Sequence, residues 1–186
     1  MRIEDAGLPG LKVVAARRFE DSRGWFSETF RGDRLREAGV GVDWVQDNHS
    51  LSRARGTVRG LHYQAPPRAQ WKLVRCGAGA VLDVAVDARV GSPTFGRWAA
   101  IELSAGNGLQ LLIPAGFLHG FATLTEDAEL LYKCSDTYSA AHDGAVRWDS
   151  LGIDWGLGGG AVLSDKDRAA PPWAEWQSPF TFQEQA

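Results

Sequence analysis

Arg59-Gly60-Leu61-His62-Tyr63-Gln64 and Pro114-Ala115-Gly116-Phe117-Leu118-His119-Gly120-Phe121 are the stretches whose reading decides the fold. Each sets a histidine in a short run lying between other strand-like runs. Two separated strands, each carrying a histidine, predict a small β-barrel whose interior receives side chains from both. The runs around them agree. Leu11–Ala15, Trp25–Phe30, Val42–Gln46, Val58–Gln64, Trp71–Cys76, Ala80–Arg89, Trp98–Leu103, Leu109–Ile113, Gly120–Leu124 and Ala128–Asp136 are rich in β-branched, aromatic or alternating residues. Breaks such as Gly77-Ala78-Gly79, Gly91-Ser92-Pro93 and Ala105-Gly106-Asn107-Gly108 separate many of them. Short strands at this spacing predict an all-β sandwich or barrel. Asp33–Ala38 reads as a short helix with Asp33 as its cap, and Asn48-His49-Ser50 reads as a polar loop. From about residue 140 the pattern loosens into a loop-rich segment, within a single domain spanning 1–186.

Composition narrows the function. With 186 residues the chain can bury a core without disulfides. Its net charge of −3 supplies no field for nucleic acid or anionic lipid. Residues 1–20 are broken by Glu4, Asp5, Pro9, Lys12, Arg17 and Arg18, so they do not read as a signal peptide, and nowhere do about 18 apolar residues run together to span a membrane. Cys76 and Cys134 read as reduced thiols of a cytoplasmic protein, with a single disulfide as the alternative. Eight Trp and eight Phe suit either a core and dimer interface or a surface that stacks a planar ligand.

Pro114-x-Gly116-x-x-His119 resembles the second half of the cupin signature. A metal-binding cupin would add two histidines and a carboxylate in the first half, where this chain has only His62 followed by Tyr63 and Gln64. Two histidines without a nearby acidic ligand make a poor metal site. The expectation is therefore no metal and no cofactor, with histidine acting as a proton-transfer base.

A longer set of motifs carries a closer likeness. Asp21–Glu28 (DSRGWFSE), Val45–Ser50 (VQDNHS), Arg59–His62 (RGLH), Lys72–Cys76 (KLVRC), Ser92–Gly96 (SPTFG), Pro114–Phe121 (PAGFLHGF), Tyr132–Asp136 (YKCSD) and Leu163–Asp167 (LSDKD) together resemble the dTDP-4-dehydrorhamnose 3,5-epimerase family, over about residues 2–175. The resemblance implies a cupin-like jelly roll, a homodimer, a dTDP-sugar substrate and metal-free catalysis. It implies conversion of dTDP-4-dehydro-6-deoxy-D-glucose to dTDP-4-dehydro-L-rhamnose. By resemblance His62 is the base, Asp167 the carboxylate that orients it, Lys72 the cation beside the C4 oxygen and Tyr132 the proton donor on the other face. Arg23, Arg59 and Lys166 match phosphate and sugar contacts. Phe26, Glu28, Gln46, Asp47, Asn48, His119, Tyr138 and Asp143 complete the substrate-binding set, with Phe19 a further stacking candidate.

Competing readings stand beside these. Arg23 could be a surface ion pair with Asp21, and Phe19, Phe26 and Tyr138 could be core residues. His119 either bonds the sugar or orders His62, while His49 and His142 read as loop or structural residues. Arg23, Phe26 and Glu28 would serve the partner's site in a dimer. Asp143 departs from the Glu more usual in the family. Related enzymes of antibiotic-sugar pathways epimerise only C3 or only C5 with much the same base, lysine and tyrosine. A nucleotide-sugar binding module and a metal-dependent cupin oxygenase are the remaining alternatives.

Overall fold

The computed structural model describes residues 1–183; the last three positions of the 1–186 span lie outside the described residues. The chain is built from β1 (Arg2–Asp5), β2 (Lys12–Ala15), β3 (Arg18–Asp21), β4 (Gly24–Ser27), α1 (Gly32–Glu37), β5 (Gln46–Ser52), β6 (Val58–Gln64), β7 (Lys72–Ala78), β8 (Ala80–Asp87), β9 (Arg89–Val90), β10 (Trp98–Ser104), β11 (Leu109–Ile113), β12 (Phe117–Thr123), β13 (Ala128–Cys134), β14 (Asp143–Ala145), α2 (Asp165–Ala169) and β15 (Phe180–Thr181). A six-stranded sheet runs β1-β2-β11-β7-β13-β5, and a five-stranded sheet runs β10-β8-β12-β6-β14. All pairings within both are antiparallel. This is the all-β, jelly-roll-like sandwich with a few short helices that the motifs imply.

Side-chain alternation assigns each strand two faces. Val74, Leu111, Ile113, Phe117, Phe121 and Leu130 pack together between the sheets. The outer face of the five-stranded sheet carries Leu61, Val84, Leu118 and Val146. It is covered from the C-terminal segment by Trp148, Trp155, Trp173, Trp176 and Phe180. α1 supplies Leu35 to the outer side of the six-stranded sheet, where Leu73 and Leu112 meet Phe30, Trp44 and Trp71. Most tryptophans therefore clad the backs of the sheets, and only Trp25 is strongly exposed.

Several sequence expectations need correction. Asn48-His49-Ser50 is not a loop: it is the middle of β5, paired with β13. Polar residues occupy both of its faces, so apolar alternation does not mark it. The stretch before Gln46, expected as a strand, is irregular. β3 and β4 form a hairpin of their own. The N-cap position of α1 is Arg31, which makes no side-chain cap bond, rather than Asp33, whose carboxylate accepts from the Arg34 amide and pairs with Arg31.

The decisive local feature lies where β6 meets β12. His62 pairs with His119, but Arg59 pairs with Phe121, so β6 holds one extra residue across that interval. Such a bulge inverts the face assignment beyond it. Arg59 and His62, which strict alternation would separate, thus share the inner face. Gly60 sits in the bulge at φ +136°, where a built Cβ would lie 2.6 Å from Gly120 Cα. Gly60→Ala is expected to lower unfolding free energy by about 2–5 kcal/mol, combining backbone strain with overpacking. Urea denaturation against wild type would read this, and an unchanged midpoint would contradict it.

Candidate active site

A cavity of about 260 Å³ opens between the sheets. β5 contributes Gln46 and Asn48, β6 contributes His62, Tyr63 and Gln64, β7 contributes Lys72, and β13 contributes Tyr132 and Cys134. Asp143 of β14, Lys166 of α2, and the loop residues Gln70 and Tyr138 complete the wall. A groove of about 510 Å³ lies against the outer face of the six-stranded sheet, but neither His62 nor Lys72 lines it. The smaller cavity holds the chemistry.

His62 Nε2 is 2.5 Å from Asp167 Oδ1. Their side chains are 32% and 3% exposed, so the carboxylate is buried while the ring still reaches the cavity. Ser164 caps α2 by accepting from the Asp167 amide at 3.1 Å, and its hydroxyl donates to Asp167 Oδ2 at 2.8 Å. The helix cap thereby fixes the carboxylate that fixes the histidine. Burial opposes ionisation of Asp167, but hydrogen bonds from His62 and Ser164 outweigh it and hold the carboxyl below its usual range. With Nε2–H donated to Asp167, Nδ1 keeps its lone pair.

The Lys72 ammonium has no hydrogen-bond partner among the described residues. Desolvation pushes its ammonium pKa down, against the upward pull of Cys134, Asp83 and Asp143. Burial pushes the Tyr132 phenol up, with Cys134 adding to that and Arg59 opposing it. The phenol is therefore protonated at neutral pH. Arg59 is tethered to β5, donating from Nε to Ser52 Oγ at 3.0 Å and from Nη2 to the Leu51 carbonyl at 3.1 Å.

At the rim, Lys166 donates to Asp143, and Tyr138 Oη donates to the same carboxylate at 3.3 Å. Gln46 Nε2 donates to Asn48 Oδ1 at 3.1 Å. Asp47 is not brought to the cavity. Alternation along β5 turns it to the outer face, where Lys133 donates to it at 2.8 Å. His119 is buried and bonded through Nε2 at 3.0 Å to Asp83, itself fully buried, and it does not line the cavity. His49 is on a strand and bonds Glu129, and His142 bonds Ser139 in a loop. Arg23 is ion-paired with Asp21, as its surface reading anticipated. Phe19, Phe26 and Tyr138 are 51%, 69% and 61% exposed, which removes the core-packing alternative for them. Arg23 and Phe26 ride on the β3–β4 hairpin and, with Glu28, do not line this cavity. Cys76 and Cys134 are free and buried, so the disulfide alternative is not realised.

Among the described residues no three His, Cys, Asp or Glu side chains gather as a metal site. Sequence reasoning missed Asp83, Ser164 and Gln64. Asp83 interrupts the apolar run Val81–Val86, and Ser164 stands three residues before Asp167 in a capping-box spacing; both signals were present.

A family model described as dTDP-4-dehydrorhamnose 3,5-epimerase matches residues 5–175. The chain belongs to the dTDP-4-dehydrorhamnose 3,5-epimerase family. A relative of that name from Sinorhizobium fredii is 49% identical over 185 residues, 98% of this chain and 94% of the relative. The epimerase of Legionella pneumophila, solved with dTDP-4-keto-L-rhamnose, is 41% identical with a TM-score of 0.94, covering 98% of both chains. That of Bacillus anthracis, solved with TDP and PPi, is 43% identical with a TM-score of 0.89, covering 92% of this chain and 98% of the other. No helix of the described residues in this family member is long and apolar enough to cross a membrane.

The carboxyl of Asp167 titrates lower in the folded protein than unfolded. Its contribution to stability is therefore complete above the unfolded value of about 3.9 and is lost as pH falls through the folded one. Unfolding free energies measured between pH 6 and pH 2 should fall more steeply for wild type than for Asp167→Asn. Parallel curves would count against this carboxylate as a stabilising acid.

Proposed function

We propose that this enzyme epimerises dTDP-4-dehydro-6-deoxy-D-glucose at C3 and C5 to dTDP-4-dehydro-L-rhamnose. The observation that carries the reading is the convergence of an oriented histidine, an unpartnered ammonium and a protonated phenol on one cavity. The hydrogens on C3 and C5 flank the C4 ketone, so removing either gives an enolate. His62 Nδ1 takes the proton, and Asp167 stabilises the imidazolium that results. Electron density moves onto O4 beside Lys72, which gains in that oxyanion the partner it lacks. Tyr132 then delivers a proton to the opposite face of the carbon. The tyrosinate regains a proton and His62 loses one, so the cycle balances without an oxidant, a reductant or a cofactor. The same steps at the second carbon complete the inversion.

Gln46, Asn48, Arg59, Tyr138, Asp143 and Lys166 are the substrate-binding residues on this reading, with the cations on the diphosphate and sugar. Lys166 would exchange its Asp143 contact for the ligand. His119, held by Asp83, acts by ordering the inner face beside His62. The enzyme works as a cytoplasmic homodimer, a reading supported by two buried free thiols and by the exposed hairpin aromatics Phe19, Trp25 and Phe26. Arg23, Phe26 and Glu28, remote from their own cavity, then complete the site of the second copy. Asp47, on the outer face, has no part in the reaction as drawn.

Turnover in D2O should place deuterium at both C3 and C5 with inverted configuration. Label at one carbon only would make this a single-position epimerase. His62→Ala should abolish exchange at both carbons while the variant keeps the wild-type circular dichroism spectrum. Tyr132→Phe should lower kcat by roughly 10²–10⁴-fold with little change in KM. Mixing inactive His62→Ala with inactive Arg23→Ala protein should restore partial turnover through mixed dimers. A mixture as inactive as its components would refute the shared site.

A further inference from the structure

Gln64 is a buried amide that the reaction does not use, and its hydrogen bonds are unusually placed. It stands two residues beyond His62 on β6, on the same inner face. Its Nε2 donates to the Thr137 carbonyl at 3.1 Å, and its Oε1 accepts from the Ser139 amide at 2.8 Å. These two groups flank Tyr138 in the chain. The same Nε2 also donates to the Arg68 carbonyl at 2.5 Å. One side chain thus grips the backbone on both sides of Tyr138, as a neighbouring strand would, and ties the 65–71 loop to it.

Other bonds close the brace. Arg68 Nη2 donates to Thr137 Oγ1 at 2.7 Å, and Gln70 Nε2 donates to the Asp136 carbonyl at 2.7 Å. From β5, Gln46 Oε1 accepts from the Tyr138 amide at 2.8 Å. The Tyr138 backbone is therefore held from strands of both sheets. Its ring, by contrast, is 61% exposed and carries only the 3.3 Å bond to Asp143. A rigidly held backbone with a largely free aromatic ring is the arrangement of a fixed wall at the mouth of a cavity.

We propose that Gln64 is a positioning residue that couples the strand bearing His62 to the loop bearing Tyr138, and so sets the wall against which the sugar is presented to the base. This rests on the functional reading above. Gln64 touches no reacting atom; it acts through Tyr138. Misplacing a positioning wall by about 1 Å costs on the order of 10²-fold in rate. If the coupling runs through Tyr138, the loss must vanish once Tyr138 is truncated, since residues acting through one another are not additive.

The test combines amide hydrogen exchange with a double-mutant cycle on the full chain. Gln64→Leu should speed exchange across residues 137–139 by at least about tenfold and leave the β7 and β8 amides unchanged. It should lower kcat/KM for dTDP-4-dehydro-6-deoxy-D-glucose by about 10–100-fold. In the Tyr138→Ala background the same substitution should change kcat/KM by less than about twofold. Gln64→Glu, equal in size, keeps the acceptor and loses both donated bonds; it replaces the leucine variant if that one fails to fold. Unchanged exchange at 137–139, an unchanged kcat/KM, or losses that multiply in the double variant would each overturn the proposal. An inactive wild type would overturn the functional reading, and the exchange result would then decide the brace by itself.

Discussion

Between His119 and Phe121 the pairing of β12 with β6 slips by one residue, and the site depends on that slip. A strand has only two faces. Without the extra residue, Arg59 and His62 would project to opposite sides of the five-stranded sheet. One of them would then lie among Leu61, Val84 and Val146, where a charge has no partner. Gly60 makes the slip tolerable, because its backbone adopts a positive φ against Gly120 where no side chain fits. Two glycines in contact on neighbouring strands thus place a cationic and a basic side chain on one face of the strand.

The two His–Asp pairs show how burial divides similar chemistry. His119 and Asp83 lie inside the sandwich, paired and closed off. His62 sits one strand away, its carboxylate equally buried but its ring open to the cavity. The inner pair keeps its groups matched in a low-dielectric region, where an unmatched charge would be costly. The outer pair has a ring nitrogen to spare. The difference arises from position: His119 stands on β12, the central strand of the five-stranded sheet, whereas His62 stands on β6, next to the edge strand β14.

The edges of the two sheets also explain the polar character of the cavity. β5 ends the six-stranded sheet and β14 ends the five-stranded one. Their inward-facing residues are Gln46, Asn48 and Asp143 rather than aliphatics. Deeper in, Val74 and Leu130 close the core. A gradient from apolar interior to polar mouth follows along β7 and β13, with Lys72 and Tyr132 at the boundary. That boundary desolvates an ammonium and a phenol while leaving both accessible to a ligand.

Strands such as β8 and β11 could be read from the sequence because each is a short, mainly apolar run bounded by glycine-bearing breaks, buried on both faces. β5 could not, since Gln46 and Asn48 face the cavity and Asp47 and His49 face outward, leaving no polarity contrast to detect. The motifs around His62, Lys72, Tyr132 and Asp167 identified the family, since residue types and their order survive as a linear pattern. The sequence by itself therefore determined the all-β class and the candidate catalytic groups. Only the tertiary structure decided that Asp167 meets His62 across 105 residues of chain, that Asp47 points away, and that Gln64 grips the backbone around Tyr138. Those facts depend on a bulge, a helix cap and the facing of two sheets. Each of these brings together residues distant in the chain, which no local periodicity records.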